Sequence, residues 1–578
     1  MKMNKLLSLA AATSLFATLA LAGTSNMDFA KKFEKECQGC HGPIHQGGVG
    51  SDLRPKALKA KSREFLAERI LHGVENTAMP AWESTFSKDD ASGMIDWLMD
   101  WKNTVELTLS LEEVKGTWTK LEDKAALAKK YPVDKDGKLG YKGDIANVKD
   151  ITFATERDAS LVDFIDSTTG EVLSRHKAGF AVHVTVTNKS EPRYAYSISR
   201  SGKLSMFDIG APGQPTLATV QVGQESRGLA VSPDGKYVIA GNYNPGGAVL
   251  CDARTLEPLK AYDTSRVIDP DGEIGPSRVA SLADTPYGPY FAMALKDGGH
   301  TYIIDYSKPN FPIVGDIPNI GKILHDAFLN EDEGEDFGRY FMIASQGSDV
   351  VGIVDFKDKN LAAKVHTGKK SKPHPGQGSS WYSKGQKKQL HATVSMNIGS
   401  VVIWDSNWKV VKKVTTNGGG LFIGTAHHTP WLWADNVLGK PAVYNEVHLI
   451  NKDTLETDRI IKVGKKEGQL IDAKTKKVLQ TWDATQHEPV AVNEVAFGKE
   501  KIMPMPAKLG AAVKDPVQPR LLHAEPANHG KWTMISEWTT GRIGIYESDT
   551  GKFVKYINNL TTPTFTYSVE HRQHIPGA

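Results

Sequence analysis

The sequence predicts a small all-α domain followed by an all-β eight-bladed propeller. The first observation is a helical spacing of apolar residues between about 27 and 104. The second is a strand–turn–strand phrase that recurs from about residue 148, and the third is a content of 53 glycines and 29 prolines in 578 residues. This length exceeds one ordinary domain of about 100 to 200 residues. We therefore expect two domains of different class, joined by a linker.

The N-terminal residues predict a signal peptide over residues 1–22. Lys2 and Lys5 precede an apolar stretch from Leu6 to Leu19, and Ala20-Leu21-Ala22 offers a cleavage site. No later run approaches the roughly twenty apolar residues that span a bilayer. The sequence thus predicts an exported protein without a membrane span, located in the periplasm if the cell has two membranes.

Charge and cysteine content narrow the function classes. The formal net charge is +3, from 70 basic and 67 acidic residues, so no nucleic-acid partner is expected. An exported chain with three cysteines depends on its core and not on disulfides for stability. We expect Cys251 to be a buried apolar side chain.

The small domain, assigned to residues 23–104, contains a cofactor motif. Helical spacing predicts helices over Met27–Lys35, Ser62–His72 and Ser87–Trp101. Cys37-Gln38-Gly39-Cys40-His41 follows the first of them and has the C-x-x-C-H pattern of covalent haem c attachment. A disulfide, a redox pair or a zinc site could also use C-x-x-C, but a four-cysteine zinc site is excluded by the cysteine count.

The haem c motif assigns roles to four side chains. Cys37 and Cys40 can each add to a vinyl group of the porphyrin, and His41 is the expected proximal iron ligand. Met79 lies on a loop about forty residues later and is the preferred second axial ligand, with His45 and His72 as alternatives. A thioether ligand raises the reduction potential relative to a second histidine.

The region around this motif, residues 27 to 104, resembles class I cytochrome c domains. Residues 105–147 carry acidic and basic patches and are expected to form a partly helical linker.

The propeller prediction depends on a repeated phrase. A short apolar strand ends in a polar residue, two to four turn residues follow, and a second strand begins. Eight copies are anchored at Asp166, Asp208, Asp252, Asp305, Asp355, Asp405, Asn451 and Glu547. A period of about 40 to 50 residues with four short strands is typical of propellers, in which neighbouring blades cover one another's faces. Residues 148–578 are therefore expected to form eight blades.

One interval departs from the period. Successive anchors lie about 42 to 53 residues apart, except for the last interval of about 96. A Lys- and Pro-rich insertion at about 464–520 accounts for the excess length. It contains a further stretch, around Asp472, that is similar to the repeated strand–turn–strand phrase. Seven or nine blades therefore remain open.

A propeller coupled to haem c prompts a search for a second redox site. Three histidine contexts stand out, Phe180-Ala181-Val182-His183, Leu324-His325-Asp326 and Pro373-His374-Pro375-Gly376. A lone propeller histidine is more often a structural residue than a ligand, and His176, His391, His427, His428, His523 and His529 include candidates for that role.

At these residues the chain resembles the cytochrome cd1 nitrite reductases, and the resemblance extends over most of the sequence. It implies that His183 is the proximal ligand of haem d1 and that His325 and His374 lie over the distal face. Haem d1 has several carboxylates, so arginines that pair with carboxylates in bidentate fashion suit it. The cofactor-binding residues implied by the matching motifs are Arg200, Arg227, Tyr243 and Arg278.

The resemblance also implies an activity and partners. Nitrite would be reduced to nitric oxide at haem d1, with electrons entering through haem c and His325 and His374 acting as catalytic proton donors. A small c-type cytochrome or cupredoxin is the implied electron donor, and a homodimer is the implied assembly.

Two other functions stay open. A dihydro-haem d1 dehydrogenase of d1 biosynthesis also joins haem c to a d1-type propeller. A non-enzymatic haem c electron carrier with a binding propeller is the alternative from another class.

The short segment between Ala22 and Cys37 lacks the tyrosine that some family members use as a distal ligand. Gly418–Ile423 is followed by Gly-Thr-Ala-His-His, which also departs from the family pattern.

Overall fold

The computed structural model describes residues 28–42, 45, 50, 51, 53–58, 61–74, 79–100, 109–332, 334–485 and 519–573. The predicted signal peptide lies outside the described residues. The chain divides into two compact units, one formed mainly by Met1–Glu106 and the other beginning at Leu107. No helix in the described ranges is long and apolar enough to cross a membrane.

The small unit is helical, as its spacing predicts. Its described helices are Phe29–Glu36, Gln38–His41, Pro55–Leu58, Arg63–His72 and Lys88–Met99. Asp28, Ser62 and Ser87 begin the three longer helices because each side chain accepts a hydrogen bond from a first-turn backbone N–H. Apolar side chains from these helices form one core, which includes Phe33, Leu58, Leu71, Phe86, Ala91, Met94 and Leu98.

In the described residues, the large unit contains nine antiparallel sheets: one two-stranded hairpin, and eight larger sheets that confirm the eight-bladed prediction over seven or nine blades. We number the blades in chain order and give each from its innermost strand outward. Blade 1 has Pro563–Ser568, Ile151–Glu156, Leu161–Asp166 and Val172–Lys177; blade 2 has Val182–Thr187, Tyr194–Ser199, Lys203–Asp208 and Thr216–Gln221; blade 3 has Glu225–Val231, Tyr237–Asn244, Gly247–Asp252 and Pro258–Asp263; blade 4 has Val279–Thr285, Tyr290–Leu295, His300–Asp305 and Ile313–Ile317.

The second half of the ring repeats this pattern. Blade 5 has Leu324–Leu329, Tyr340–Ser345, Val350–Asp355 and Asn360–His366; blade 6 has Pro373–Ser383, Lys388–Ser395, Ser400–Asp405 and Val410–Thr415; blade 7 has Ile423–Gly424, Trp431–Asp435, Glu446–Asn451, Thr457–Val463, Glu467–Asp472 and Val478–Asp483; blade 8 has Leu521–Ala527, Trp532–Glu537, Arg542–Glu547 and Phe553–Ile557. A 3₁₀ turn at Val148–Asp150, a small hairpin of Val267–Ile268 and Ile274–Gly275, and the helix Val569–Gln573 complete this unit.

The repeated polar anchors end the third strand of each blade. Seven of the eight side chains accept hydrogen bonds from backbone N–H groups in the turn that follows, whereas Glu547 accepts one from the Thr550 hydroxyl. Asp166 Oδ1 accepts from Thr168 N at 2.7 Å, and Asp305 Oδ1 accepts from Ser307 N at 3.0 Å. Asp and Asn favour turns because their side chains bond to backbone two residues on. The phrase thus marks the turn between the last two strands of an ordinary blade.

Blade 1 closes the ring with a strand from the C-terminal region. Pro563–Ser568 pairs antiparallel with Ile151–Glu156, so that Phe153 lies opposite Tyr567. All six residues of Ile151–Glu156 are buried because the strand is paired on both edges and covered on both faces. No edge of this inner strand is left exposed.

The predicted insertion at 464–520 begins as regular structure. Glu467–Asp472 and Val478–Asp483 add two strands to blade 7, with Asp472 capping the turn between them. Gln480 exchanges two hydrogen bonds with the backbone of Phe553 at 3.1 and 2.8 Å, which ties the added strands to blade 8. Residues 486–518 lie outside the described residues.

The segment predicted as a separate linker is, in its described part, attached to the propeller. Its helices are Leu111–Gly116 and Lys124–Lys130. The strand Thr119–Lys120 between them pairs with Thr216–Gln221 as a fifth strand of blade 2. Trp118 Nε1 donates to the carbonyl of Thr255 in blade 3 at 3.0 Å.

Candidate functional sites

His41 lies on a short helix directly after the two motif cysteines. Cys37 and Cys40 are half-buried and not joined in a disulfide, and burial raises the pKa of the Cys37 thiol to about 12. His41 is buried, which lowers its pKa, and its Nδ1 lies 2.7 Å from the carbonyl oxygen of Ser51. Since a carbonyl only accepts, Nδ1 carries the proton and Nε2 keeps its lone pair. This is the orientation that a haem-ligating histidine needs.

The predicted second ligand of haem c, Met79, is half-buried on a loop. Its carbonyl accepts a hydrogen bond from Val74 N at 3.1 Å. Gly73 has a φ of +70°, and a Cβ there would lie 2.6 Å from the Met79 carbonyl oxygen, so the loop needs glycine at this position. The assignment of Met79 stays a prediction.

The two alternative ligands have other surroundings. The ring of His45 is buried between Phe33 and Trp97, at centroid distances of 4.4 and 4.8 Å. His72 is half-exposed and lies 3.4 Å from Glu68 and 3.2 Å from Glu83. Both side chains are thus engaged in packing or ion pairing.

In the propeller, the three predicted histidines occupy equivalent positions. His183, His325 and His374 are each the second residue of an innermost strand, in blades 2, 5 and 6. Innermost strands of a propeller run in the same direction along the axis. The three imidazoles therefore belong to the same end of the axial channel.

His325 and His374 form a close pair. Their ring centroids are 4.6 Å apart. Asp326 lies between them, with Oδ1 3.1 Å from His325 Nδ1 and Oδ2 3.3 Å from His374 Nδ1. Arg227 Nη2 donates to Asp326 Oδ1 at 2.5 Å. The structure thus brings together the two predicted catalytic histidines and one predicted arginine.

This cluster has the composition of a two-histidine, one-carboxylate metal site, and the ligand atoms of His325, Asp326 and His374 lie within 4.8 Å of one another. However, Arg227 donates to the carboxylate and its Nη2 lies 3.4 Å from His325 Nδ1. A guanidinium cation already satisfies the carboxylate, which disfavours a second cation.

A second group of cations surrounds Tyr243 in blade 3. The guanidinium carbons of Arg200 and Arg278 lie 4.9 and 5.3 Å from the Tyr243 ring centroid, and Lys296 Nζ lies at 5.9 Å. Burial opposes ionisation of the phenol, yet Arg227 and these three cations together lower the pKa of Tyr243. The predicted arginines therefore converge on one strongly positive region.

Carboxylates only partly balance this charge. Arg200 Nη1 donates to Glu225 at 3.2 Å, and Arg278 forms a two-pronged pair with Asp297 at 3.0 and 2.6 Å. The Nε of Arg200 is buried, and no hydrogen-bond partner for it is found within the described ranges. A ligand with several carboxylates would find donors here.

His183 faces this positive region. Burial lowers its pKa well below the usual range, and the charges of Arg227 and Arg200 lower it further. Its Nδ1 is buried without a hydrogen-bond partner among the residues that the structure describes. The imidazole is therefore neutral at pH 7, as a metal ligand must be.

The sequence predictions missed Asp326 and Lys296, and also Arg157, whose charge contributes to the lowered pKa of His183. Asp326 directly follows His325, and its adjacency to that motif is the one signal that could have pointed to it. Lys296 directly follows the second strand of blade 4, and Arg157 directly follows the second strand of blade 1. No local sequence pattern distinguishes Lys296 and Arg157 from other basic residues near strand ends.

The fold and these sites define a class of protein, in which a haem c domain precedes an eight-bladed propeller with a cation-rich histidine site on its axis. The cytochrome D1 heme domain family matches residues 146–572, and the chain belongs to that family. Residues 25–98 match the family of cytochrome C oxidase, cbb3-type, subunit III. Proteins of this kind hold haem d1 and haem c.

Relatives with two activities are similar to this chain. A nitrite reductase of Stutzerimonas stutzeri is 28% identical over 442 residues, which cover 70% of this chain and 73% of the relative. A dihydro-heme d1 dehydrogenase of Pseudomonas aeruginosa is 27% identical over 443 residues, covering 76% and 83%. The solved structure of dihydro-heme d1 dehydrogenase NirN in complex with DHE covers 94% of this chain and 99% of that chain, with a TM-score of 0.65 and 22% identity.

The residues present fit the two cofactors of the family. The Nδ1 of His183, which has no hydrogen-bond partner in the described part of the chain, and the excess of cations around Tyr243 suit a tetrapyrrole that carries carboxylates. The C-x-x-C cysteines Cys37 and Cys40, which form no disulfide, and His41, which is oriented by the Ser51 carbonyl, suit covalent haem c. The chain is therefore an oxidoreductase of the cytochrome cd1 family.

Proposed function

We propose that this protein is a periplasmic nitrite reductase that forms nitric oxide. The observation that carries the proposal is the pairing of His325 and His374, 4.6 Å apart, beside the Arg227 guanidinium. Reduction of nitrite to nitric oxide takes one electron and two protons and releases one water. Two imidazoles beside a cation can attract the anion and exchange both protons.

The cofactor roles follow from the fit of the residues. Cys37, Cys40, His41 and Met79 would hold haem c, through which the electron enters. His183 would ligate haem d1, with Arg200, Arg227, Arg278 and Tyr243 binding its periphery. When bound, haem d1 would supply a redox-active iron for the one-electron reduction of nitrite.

The proton chemistry depends on how the anion changes the two imidazoles. Burial, with the charge of Arg227, lowers the pKa of His325 well below the usual range, and burial also lowers the pKa of His374. Both rings are thus neutral before substrate enters. A nearby anion favours the protonated form of an imidazole. Binding of nitrite would therefore raise the pKa values of both histidines, so that each takes up the proton that it later donates.

The neutral imidazoles also favour a second candidate, dihydro-haem d1 dehydrogenase. Oxidation of a dihydro precursor removes two electrons and two protons, and neutral His325 and His374 could accept those protons. The dehydrogenase relative is about as similar to this chain as the nitrite reductase relative.

The test uses purified holoprotein that carries both cofactors. Reduced donor and nitrite are added, and nitric oxide is followed with an electrode. We expect nitric oxide, and a loss of turnover of about a hundredfold in His325→Gln or His374→Gln with both haems retained. The control is His300→Gln, whose ring pairs with Asp316 on outer strands of blade 4 and should leave turnover unchanged.

Other outcomes separate the alternatives. Absence of nitric oxide, with oxidation of a dihydro-haem d1 by the same holoprotein and an oxidised acceptor, would support the dehydrogenase. Haem c absorption bands alone, after expression in a host that makes haem d1, would support the electron carrier. A small c-type cytochrome or cupredoxin as donor, a homodimer and export through residues 1–22 belong to the proposal.

A further inference from the structure

Asp326 is the centre of the distal cluster. Its two carboxylate oxygens face three side chains from three different inner strands. Arg227 Nη2 lies at 2.5 Å, His325 Nδ1 at 3.1 Å and His374 Nδ1 at 3.3 Å. Burial raises the pKa of Asp326, but the charge of the Arg227 guanidinium and the polar N–H groups of the two imidazoles outweigh it and hold the pKa well below its usual range. The carboxylate is therefore ionised and can only accept hydrogen bonds.

His374 has two acceptors at the same nitrogen. Its Nδ1 lies 2.7 Å from the carbonyl oxygen of Leu421 and 3.3 Å from Asp326 Oδ2. Since neither neighbour can donate, the Nδ1 of neutral His374 carries the proton. The Leu421 carbonyl alone is sufficient to maintain this tautomer.

His325 is in a different position. Its Nδ1 lies between an acceptor, Asp326 Oδ1 at 3.1 Å, and a donor, Arg227 Nη2 at 3.4 Å. The carboxylate favours a proton on Nδ1, whereas the guanidinium favours a lone pair there. Both contacts involve a charged partner, but the contact with the carboxylate is the shorter one, so the Nδ1–H tautomer should predominate.

We propose that Asp326 is a positioning residue that keeps the proton of His325 on Nδ1, so that His325 and His374 both use Nε2 to exchange protons with the substrate. Without the carboxylate, Arg227 would donate to His325 Nδ1 and the ring proton would move to Nε2. The expected effect on turnover rests on the proposed nitrite reduction. The assignment of the His325 proton to Nδ1 does not depend on that function.

The first test measures the tautomers directly. Full-length protein with ¹⁵N-labelled histidine, before haem d1 is added, is studied by long-range ¹H–¹⁵N correlation, with the rings assigned from His325→Gln and His374→Gln. We expect Nδ1–H for both rings in the parent. In Asp326→Asn, His325 should change to Nε2–H and His374 should not. An Nε2–H tautomer of His325 in the parent, or no change in the variant, would overturn the proposal.

The second test uses the holoenzyme. Asp326→Asn should keep haem d1 at parental occupancy and slow nitrite turnover by about tenfold or more, within the range that acid–base catalysis contributes. The matched control is Asp355→Asn, which breaks another carboxylate–arginine pair, with Arg339 at 2.9 and 2.6 Å, in blade 5. It should leave both the tautomers and turnover unchanged.

The combined results distinguish the two proposals. A changed tautomer with parental turnover would overturn the positioning role. If the parent protein forms no nitric oxide but shows the expected tautomers, nitrite reduction fails and the assignment of the His325 proton stands.

Discussion

Glu156 and Thr561, which are 405 residues apart in the chain, meet where the propeller closes. The Glu156 carboxylate accepts hydrogen bonds from both the backbone N–H and the hydroxyl of Thr561, and from Thr562 N at 2.6 Å. All three donors precede the closing strand Pro563–Ser568. One fully buried carboxylate thus holds the two ends of blade 1 together.

Glu156→Ala should therefore destabilise the propeller. Buried hydrogen bonds to a charged group contribute about 1.5 to 3 kcal/mol each, and their loss leaves the donors unpaired, so we expect a cost on the order of 3 kcal/mol. Thermal unfolding followed by circular dichroism measures the shift in Tm. Glu171→Ala, at an exposed position of the same blade, is the control and should change stability little. Equal Tm values for the two variants would contradict this role of Glu156.

His183→Ala should abolish binding of haem d1 and preserve haem c. The reason is that His183 supplies the neutral imidazole proposed as the iron ligand, while the haem c residues belong to the other unit. Absorption spectra and the pigment extracted into acidic acetone measure the two cofactors. His176→Ala, on the outermost strand of blade 1, is the control. Haem d1 at normal occupancy in His183→Ala would refute the ligand assignment.

Met79→His should lower the reduction potential of haem c. Imidazole stabilises the ferric state relative to a thioether, and we expect a decrease on the order of 100 mV within the roughly 0.8 V that axial ligands span. A spectroelectrochemical titration measures the midpoint. Met99→His, at the end of Lys88–Met99, is the control. A potential that is the same in both variants and the parent would exclude Met79 as the ligand.

Glu331 should make stability depend on pH. Burial raises its pKa to about 8 from an ordinary 4.5, so the folded protein retains a proton that the unfolded chain releases. This contribution is fully present below pH 4.5 and is lost as the pH rises to 8, by an amount on the order of 5 kcal/mol. Glu331→Gln should therefore flatten the decline of Tm between pH 5.5 and 8.

The control for this variant is Glu335→Gln, because Glu335 is exposed in the same loop. It should retain the parental pH profile. A profile of Glu331→Gln parallel to that of the parent would show that Glu331 binds no extra proton in the folded state.

The blades could be predicted because their signal is local. Asp166 and its counterparts cap a turn within a few residues, so each blade leaves the same pattern in the sequence. Asp472 shows the limit of this reasoning. It caps the same kind of turn with Thr475 N at 2.7 Å, but its hairpin extends blade 7 instead of forming a new blade. Strand pairing depends on which edge is available, and no local pattern records that.

The site residues that lie in sequence motifs could be predicted. The residues that reach the site only through the fold were missed. His325 and His374 stand in recognisable motifs. Lys296 and Arg157 are relevant only because the fold brings separate blades together, so that their charges lower the pKa values of Tyr243 and His183. Asp326 was adjacent to a motif, yet its contact with His374 joins residues 48 positions apart, which only the fold reveals.

Blade 1 combines strands from the beginning and the end of the propeller sequence, and this has a consequence for biosynthesis. Its second strand emerges from the ribosome some 400 residues before Pro563–Ser568 is made. Until then Ile151–Glu156 offers an open β-edge to any neighbouring chain. Export of an incompletely folded polypeptide, or protection by a chaperone until translation finishes, would avoid aggregation at that edge. A nascent chain stalled before residue 563 should therefore be far more prone to association than the finished protein.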